Sequence, residues 1–307
     1  MFEEKIIVGE HTNHPLNGIL TLPNDINQPV PAVVLVHGSG PSNMDEKVGK
    51  LTPFKDLAEG LASIGIAVIR YDKRTYAHKK LFKNKRDIIV KEETIEDAIL
   101  ATELLRNDSR IDSDKIFIIG HSMGGLLAPR IDSEGGNYKG LILLASSPRK
   151  LEEIIIDQTK EVLNSVNKLL QWIIKKQIKK LSTKIENMYD LTDEEAKNKS
   201  FMPGISLYYF KEMGEHSATN YLKDLDKPML IMQGDKDFQV SVEKDFNLYK
   251  EILKDKDNVT FKLYENLNHA FVPSIYGNIM QAKKEYNVSQ SVCDYVIDDI
   301  ATWILSH

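Results

Sequence analysis

The chain has 307 residues, of which 42% are hydrophobic and 28% are charged, as expected of a soluble globular protein with one large domain or two ordinary ones. Its formal net charge of −5 and isoelectric point near 6.0 give no sign of a nucleic-acid partner. Cys293 is the only cysteine, which excludes an intramolecular disulfide and favours a reducing, cytoplasmic location, and we expect neither a signal peptide nor a membrane span.

Short β-like runs recur along the chain. The first two flank turn residues and predict a hairpin, and most of the later ones are continuous apolar runs typical of parallel strands buried on both faces. The predicted strands are 5–8, 18–22, 32–36, 66–72, 115–122, 140–146, 228–235 and 258–266.

Amphipathic stretches separate these strands, each with apolar residues at a spacing of three to four. Strand followed by helix, several times over, predicts an α/β fold with a mostly parallel central sheet and helices on both faces. The predicted helices are 53–63, 92–107, 124–131, 242–254 and 285–305.

One long interval breaks this rhythm. Residues 147–226 contain no convincing strand and show helical periodicity, with Thr192 and Glu195 as a capping box. We expect Trp172 and the aromatic residues 208–210 to lie in its core, with the lining of a pocket as the alternative for one or two of them. Because a crossover between parallel strands is normally short, we predict a helical cap over one edge of a core formed by 1–146 and 227–307.

A nucleophile is predicted at Ser122. It lies in Gly120-His121-Ser122-Met123-Gly124, a G-x-S-x-G pattern that follows a buried strand and opens a helix. The pattern alone is a weak signal, and a glycine-rich turn with an incidental serine is the plain alternative. The strand-turn-helix context is what a nucleophile elbow requires.

A second motif supplies a site for negative charge. The segment "VHGSG" follows an earlier strand, and two backbone N–H groups, those of Ser39 and Met123, are the predicted oxyanion donors. A dinucleotide-binding loop would need a third glycine at position 43, which is Asn43, so that alternative fails.

A serine nucleophile needs a general base and an acid that orients it. His269 follows the last predicted strand and is the candidate base. For the acid, the segment "QGDKDF" offers two carboxylates. Asp237 is favoured over Asp235, because it lies farther along the loop and can reach the histidine more easily, whereas Asp235 at the strand end suits a turn.

Four charged residues lie at the end of the predicted strand 66–72 or directly after it: Arg70, Asp72, Lys73 and Arg74. We expect them to pair with Asp45 or Glu46 and hold the "VHGSG" loop, and we favour this role over binding of an anionic substrate.

The segments "VHGSG", "GHSMGG", "QGDKD" and "NHAF", in this order, resemble the α/β-hydrolase superfamily, and "HGSGPSNMDE" with "RYDKR" is similar to its dienelactone-hydrolase-like and feruloyl-esterase-like bacterial esterases. The resemblance implies carboxylic ester hydrolysis, an insertion that covers the active site, and an acid at the last position of G-x-x-D, here Asp237. A serine replaces the cysteine of dienelactone hydrolase, which disfavours that reaction.

The sequence therefore predicts a serine ester hydrolase that acts through an acyl-enzyme on a small-molecule ester, with small to medium acyl or aromatic groups. The alternatives are a thioesterase, amidase or peptidase with the same triad, or a non-catalytic ligand-binding member of the fold. No cofactor, metal, nucleic acid or membrane partner is expected. The oligomeric state is open, with the insertion as a candidate homodimer contact.

Overall fold

A mostly parallel eight-stranded sheet forms the centre of the chain. The computed structural model describes residues 1–82, 85–164, 166–202 and 204–307. Within these residues the strands are β1 (Phe2–Val8), β2 (Leu16–Leu22), β3 (Val30–Val36), β4 (Ala67–Tyr71), β5 (Ile111–His121), β6 (Leu141–Leu144), β7 (Ser200–Met202), β8 (Ile205–Ser206), β9 (Met229–Gly234) and β10 (Val259–Tyr264).

The order of strands in the large sheet is β1-β2-β4-β3-β5-β6-β9-β10. The β1–β2 and β2–β4 pairs are antiparallel, and every later neighbouring pair in this order is parallel. The predicted hairpin and the predicted α/β class are therefore confirmed. The carboxyl ends of six parallel strands meet at one edge, where ligands of open α/β sheets usually bind.

Helices connect the strands on both faces of the sheet. The described α-helices are α1 (Pro53–Ser63), α2 (Arg74–Ala77), α3 (Lys79–Phe82), α4 (Glu96–Arg106), α5 (Met123–Ile131), α6 (Leu151–Asn164), α7 (Lys168–Glu186), α8 (Asp193–Lys197), α9 (Leu207–Glu215), α10 (Ala218–Asp224), α11 (Asn247–Ile252), α12 (Ala282–Glu285) and α13 (Asp294–Leu305). In this part of the chain, none of the helices combines the length and the apolar character that crossing a membrane requires.

The core consists of two layers, one on each face of the sheet. Alternate residues of β3 illustrate the division, since Val34 packs with α4 and α5 whereas Val33 packs with α1 and α13. Both side chains are fully buried. A strand covered by helices on both faces has no solvent-facing side, and this accounts for the continuous apolar runs in the sequence.

The predicted helix 285–305 is shorter than the pattern indicated. Residues 286–293 leave the helical path before α13 begins, and their backbone forms contacts elsewhere. Val292 N donates to Asp56 Oδ2 of α1 at 3.0 Å, and Cys293 N donates to the Phe271 carbonyl at 3.2 Å. These tertiary hydrogen bonds replace the helical ones.

The insertion 147–226 is largely helical, as predicted, but also contains the short antiparallel pair β7–β8. The capping box at the start of α8 is present, with Glu195 N donating to Thr192 Oγ1 at 3.3 Å and Thr192 N donating to Glu195 Oε2 at 2.9 Å. The prediction for Trp172 is wrong: its side chain is 65% exposed on α7.

We expect Phe117→Ala to lower the free energy of unfolding by about 3–5 kcal/mol, because the ring is fully buried in β5 and packs edge-on against Trp303 at 5.8 Å between centroids. Urea denaturation monitored by circular dichroism measures the effect. Phe2→Ala is the matched control, since Phe2 is 40% exposed and its loss should cost about 1 kcal/mol or less. Equal losses would contradict the assignment of Phe117 to the core.

Candidate active site

The residues predicted to carry the chemistry lie in loops at the carboxyl edge of the sheet. Ser39 follows β3, Ser122 follows β5, Asp237 follows β9 and His269 follows β10. Ser39, Ser122, Met123 and His269 line one cavity. Asp237 lies behind His269 and has a fully buried side chain.

Ser122 lies on a sharp turn between β5 and α5. Its backbone angles, φ 53° and ψ −118°, are outside the regions that L-residues usually adopt. Two glycines permit this turn, because a Cβ on Gly120 would collide with the backbone of Gly124, and a Cβ on Gly124 would collide with the Val36 carbonyl. Ser122 N donates to the Leu144 carbonyl at 2.8 Å, which ties the turn to β6.

The acid–histidine contact is formed by Asp237. His269 Nδ1 lies 2.7 Å from Asp237 Oδ2. Since an ionised carboxylate only accepts, this contact assigns the proton to Nδ1 and leaves Nε2 as the acceptor. Asp237 also accepts from Gln233 Nε2 on Oδ2 and from the N–H groups of Gln239 and Val240 on Oδ1. Four donors thus hold the carboxylate in place.

Asp235 has a different role in the same segment. Its Oδ1 accepts from Asn266 N at 2.6 Å, and its Oδ2 lies 3.2 Å from Lys236 Nζ at the surface. This carboxylate fastens the chain after β10 to the end of β9, as expected of a turn residue.

A buried network fixes the loop that carries His269. Asn268 is fully buried, accepts from Ala270 N at 2.9 Å and donates to Glu285 Oε1 at 3.0 Å. Glu285 in turn accepts from the N–H groups of Ile275 and Tyr276. These contacts link the loop to α12 and limit the movement of the imidazole.

The loop after β3 is held by the Glu46 carboxylate. Oε1 accepts from Gly38 N at 2.8 Å, and Oε2 lies 2.9 Å from His121 Nδ1. The other ring nitrogen of His121, Nε2, is 2.9 Å from the His269 carbonyl oxygen. One imidazole therefore joins the loop after β3 to the loop of His269.

The pKa values of the buried residues His121 and His37 are shifted in opposite directions. Burial alone would lower the pKa of His121, but attraction to Glu46 outweighs it and raises the pKa above its usual 6.5. Burial lowers the pKa of His37 to about 4, so this ring is neutral near pH 7, with Nε2 placed 3.0 Å from the Asn43 carbonyl oxygen.

The charged residues at the end of β4 and directly after it only partly follow the sequence prediction. Arg70 pairs with Asp45 at 3.0 Å, and Asp72 accepts from Met44 N at 2.8 Å, so both hold the loop after β3. The other two residues do not bind Asp45 or Glu46. Arg74 pairs with Asp97 and Glu96 in the first turn of α4. Lys73 pairs with Glu93, which lies in the π-helical turn Lys91–Ile95 directly before α4.

The cavity has a volume of about 660 Å³, within the usual range for small-molecule sites. Its wall is mainly apolar and combines the core with the insertion. The apolar lining residues include Val48, Phe82, Ile88, Leu126, Leu151, Ile154, Ile155, Ile205, Phe210, Val240 and Ala270. In the described part of the chain, no group of three or more His, Cys, Asp or Glu residues is placed to hold a metal ion.

Comparison with known proteins agrees with this architecture. The family model described as "Serine aminopeptidase, S33" (Hydrolase_4) matches residues 27–273, well over half of the chain. The chain belongs to this family, within the α/β-hydrolase superfamily. The resemblance predicted from the sequence motifs is thereby confirmed.

Among individual relatives, esterase EstD of Thermotoga maritima is 35% identical over 309 residues, which cover 99% of this chain and 68% of that protein. Two solved structures share the fold at low identity. Est1E from Butyrivibrio proteoclasticus has a TM-score of 0.61 at 15% identity, covering 99% of each chain. Dienelactone hydrolase from Anabaena variabilis has a TM-score of 0.56 at 14% identity, covering 100% of this chain and 98% of that one.

Several residues of the site were missed by sequence reasoning. Gln233 lies inside a strand, Glu285 lies about 16 residues after His269, and Glu93 lies in a predicted helix, so no local motif connects them with the site. The sequence contains a weak indication of the Glu46–His121 pair, since Glu46 lies in "HGSGPSNMDE" and His121 in "GHSMGG", two segments that carry the family resemblance.

We expect Glu46→Gln to destabilise the protein more at pH 6 than at pH 9. The folded-state pKa of His121 is raised, so its stabilisation is present below the unfolded value of 6.5 and is lost as the pH rises through the folded value. The Gln variant lacks the charge that produces this gain. Urea denaturation at both pH values measures the difference, with the exposed Glu243→Gln as control. A loss independent of pH would contradict the ion pair.

Proposed function

We propose that this chain is a serine carboxylic ester hydrolase in which Ser122 is the nucleophile, His269 the general base and Asp237 the residue that orients it. The observation that carries the proposal is the 2.7 Å contact of Asp237 with His269, on a histidine that faces the same cavity as the strained Ser122. Membership of a hydrolase family and 35% identity to esterase EstD support the reaction class.

The reaction proceeds in two steps. Ser122 Oγ attacks the ester carbonyl carbon, and its proton moves to His269 Nε2. The tetrahedral intermediate collapses, the bond to the alcohol oxygen breaks, and His269 returns the proton to the leaving alcohol. A water molecule, deprotonated by His269, then attacks the acyl carbon; the bond to Ser122 Oγ breaks, His269 returns the proton to Oγ, and the carboxylic acid leaves. Asp237 keeps the proton on Nδ1 and stabilises the imidazolium.

The N–H groups of Ser39 and Met123 are the proposed oxyanion donors. Met123 is the first residue of α5, where N–H groups have no intrahelical acceptor and the helix dipole favours negative charge. Ser39 follows Gly38, whose Cα approaches the nucleophile so closely that a Cβ there would lie 3.1 Å from Ser122 Cβ. The two donors therefore approach the nucleophile from β3 and from α5.

The substrate we propose is an ester with an apolar acyl or aromatic group of small to medium size. The cavity wall is mainly aliphatic and aromatic, and α6 of the insertion contributes three of its apolar side chains, Leu151, Ile154 and Ile155. Burial of such groups stabilises the bound ester by about 25 cal/mol per Å² of apolar surface. In this proposal the insertion 147–226 acts as a cap that shapes the substrate pocket.

An aminopeptidase is the second candidate, because the family description names that activity. Recognition of a free α-ammonium group needs an available carboxylate. The two carboxylates in the described cavity wall are already engaged: Glu46 binds Gly38 N and His121, and Glu93 binds Lys73 and Tyr209. The cavity thus favours an uncharged ester, while thioesters and neutral amides could enter the same two-step reaction.

We expect the native protein to react with a fluorophosphonate probe and to hydrolyse p-nitrophenyl esters that vary in acyl length and aromaticity. The Ser122→Ala protein should do neither, because it lacks the attacking oxygen. In-gel fluorescence and absorbance assays measure the two readouts. A binding protein without turnover would fail both tests in its native form, and labelling of the Ala variant would exclude Ser122 as the nucleophile.

We expect Asp237→Asn to lose about 10⁴-fold in kcat with the fold intact, because an amide cannot hold the Nδ1–H tautomer as the carboxylate does. Asp235→Asn is the matched control in the same loop and should lose far less, since Asn retains an acceptor for the Asn266 N–H. Steady-state kinetics on one ester compare the two. The reverse ranking would overturn the choice of Asp237.

A further inference from the structure

The Gly38–Ser39 peptide is held from its carbonyl side. In a trans peptide the C=O and the N–H point in opposite directions, and the described residues contain no cis peptide bond. The group that binds the Gly38 carbonyl oxygen therefore also fixes the direction of the Ser39 N–H.

That group is the Lys73 ammonium. Lys73 Nζ donates to the Gly38 carbonyl at 2.9 Å and lies 3.1 Å from Glu93 Oε1. The side chain is only 2% exposed. Lys73 N donates to the Ser42 carbonyl at 3.0 Å, so the backbone and the side chain of Lys73 both bind the loop after β3. Lysine is rarely buried to this degree unless its charge is paired.

The preceding peptide is fixed by opposite charge. Gly38 N donates to the Glu46 carboxylate at 2.8 Å, so an anion binds the N–H of Gly38 and a cation binds its C=O. Hydrogen bonds to charged partners are shorter and stronger than neutral ones. A cation on the Gly38 carbonyl oxygen also polarises the Gly38–Ser39 amide and strengthens the Ser39 N–H as a donor.

We propose that Lys73 is a positioning residue for oxyanion stabilisation, which holds and polarises the Gly38–Ser39 peptide so that the Ser39 N–H is directed at the developing negative charge. The inference rests on the proposed function, in which Ser39 is one of the two donors. Lys73 does not touch the substrate, and its effect reaches the reaction through one peptide group.

Glu93 pairs with Lys73 and links this lysine to the insertion. Its Oε2 accepts from Tyr209 Oη of α9 at 2.6 Å, and the same hydroxyl lies 3.7 Å from Met123 Sδ. Removal of Lys73 alone would leave the buried Glu93 carboxylate without its counter-charge, which destabilises a protein whatever its role in catalysis. The test therefore removes both charges together.

The test compares Lys73→Met combined with Glu93→Gln against Glu93→Gln alone, which retains the ammonium. We expect the double variant to lose about 10–100-fold in kcat, with KM within about threefold of wild type, because one preorganised oxyanion donor is worth about 10²–10³ in kcat. The loss is measured relative to the single Glu93→Gln variant, so that the effect of removing the carboxylate is common to both proteins. Lys80→Met, on the exposed side of α3, controls for loss of a lysine charge nearby.

A second readout separates positioning from general damage. A trifluoromethyl ketone forms a tetrahedral adduct with the nucleophile and carries an oxyanion, whereas the matching methyl ketone binds mainly as the carbonyl. We expect the double variant to bind the trifluoromethyl ketone more weakly by the same factor as its loss of kcat, with methyl ketone binding unchanged. Values are taken per active site, counted by exhaustive fluorophosphonate labelling.

Retention of kcat within about threefold, or equal weakening of both ketones, would overturn the proposal for Lys73. If the Met variant does not fold, Lys73→Gln with Glu93→Gln removes the same charges with side chains that can bond to each other, and the same expectations apply. Failure of the proposed function would be seen separately, as an unlabelled native protein or an active Ser122→Ala variant.

Discussion

The turn at Ser122 is the constraint on which the site depends. A serine at φ 53° stores backbone strain of about 1–3 kcal/mol, and it persists only because β5, α5 and β3 pack around it without room for a Cβ at Gly120 or Gly124. The close approach of α5 to β3 also brings the loop after β3 beside Ser122. The same packing therefore accounts for the strain at Ser122, for the glycines at positions 120 and 124, and for the proximity of the loop after β3 to the turn after β5.

Buried charge then fixes what the packing has brought together. Glu46 binds Gly38 and His121, His121 binds the backbone of His269, and Lys73 binds the carbonyl of Gly38. The Glu46–Gly38 contact closes the loop after β3 on itself, and the other contacts join that loop to the residues after β4, to the end of β5 and, through His121, to the loop of His269. In a medium of low polarity such contacts are strong when complete and costly when one partner is lost, so the loops behave as a single rigid unit.

Sequence patterns predicted the sheet, most helix positions and the elbow, because each depends on local periodicity or on glycines at fixed spacing. The preference for Asp237 over Asp235 depended on loop reach and agrees with the 2.7 Å contact to His269. What periodicity could not supply is tertiary partner choice. The chain leaves the predicted helix at 286–293, where Val292 N binds Asp56 of α1, and Lys73 pairs with Glu93. The exposure of Trp172 was not predicted, because helical spacing does not say which apolar face of a helix is covered by another element.

The insertion is joined to the same loop that carries Asp237. Arg149, just before α6, pairs with Asp245 at 2.7 Å and with Asp157 of α6 at 2.9 Å, and Gln158 Nε2 donates to the Gln239 carbonyl at 2.9 Å. Gln239 N is itself a donor to Asp237. The helix that forms one wall of the cavity and the carboxylate that orients His269 are thus fixed to one short segment, 237–245. A change in the position of α6 would therefore be transmitted through that segment to Asp237, and from Asp237 to the His269 imidazole.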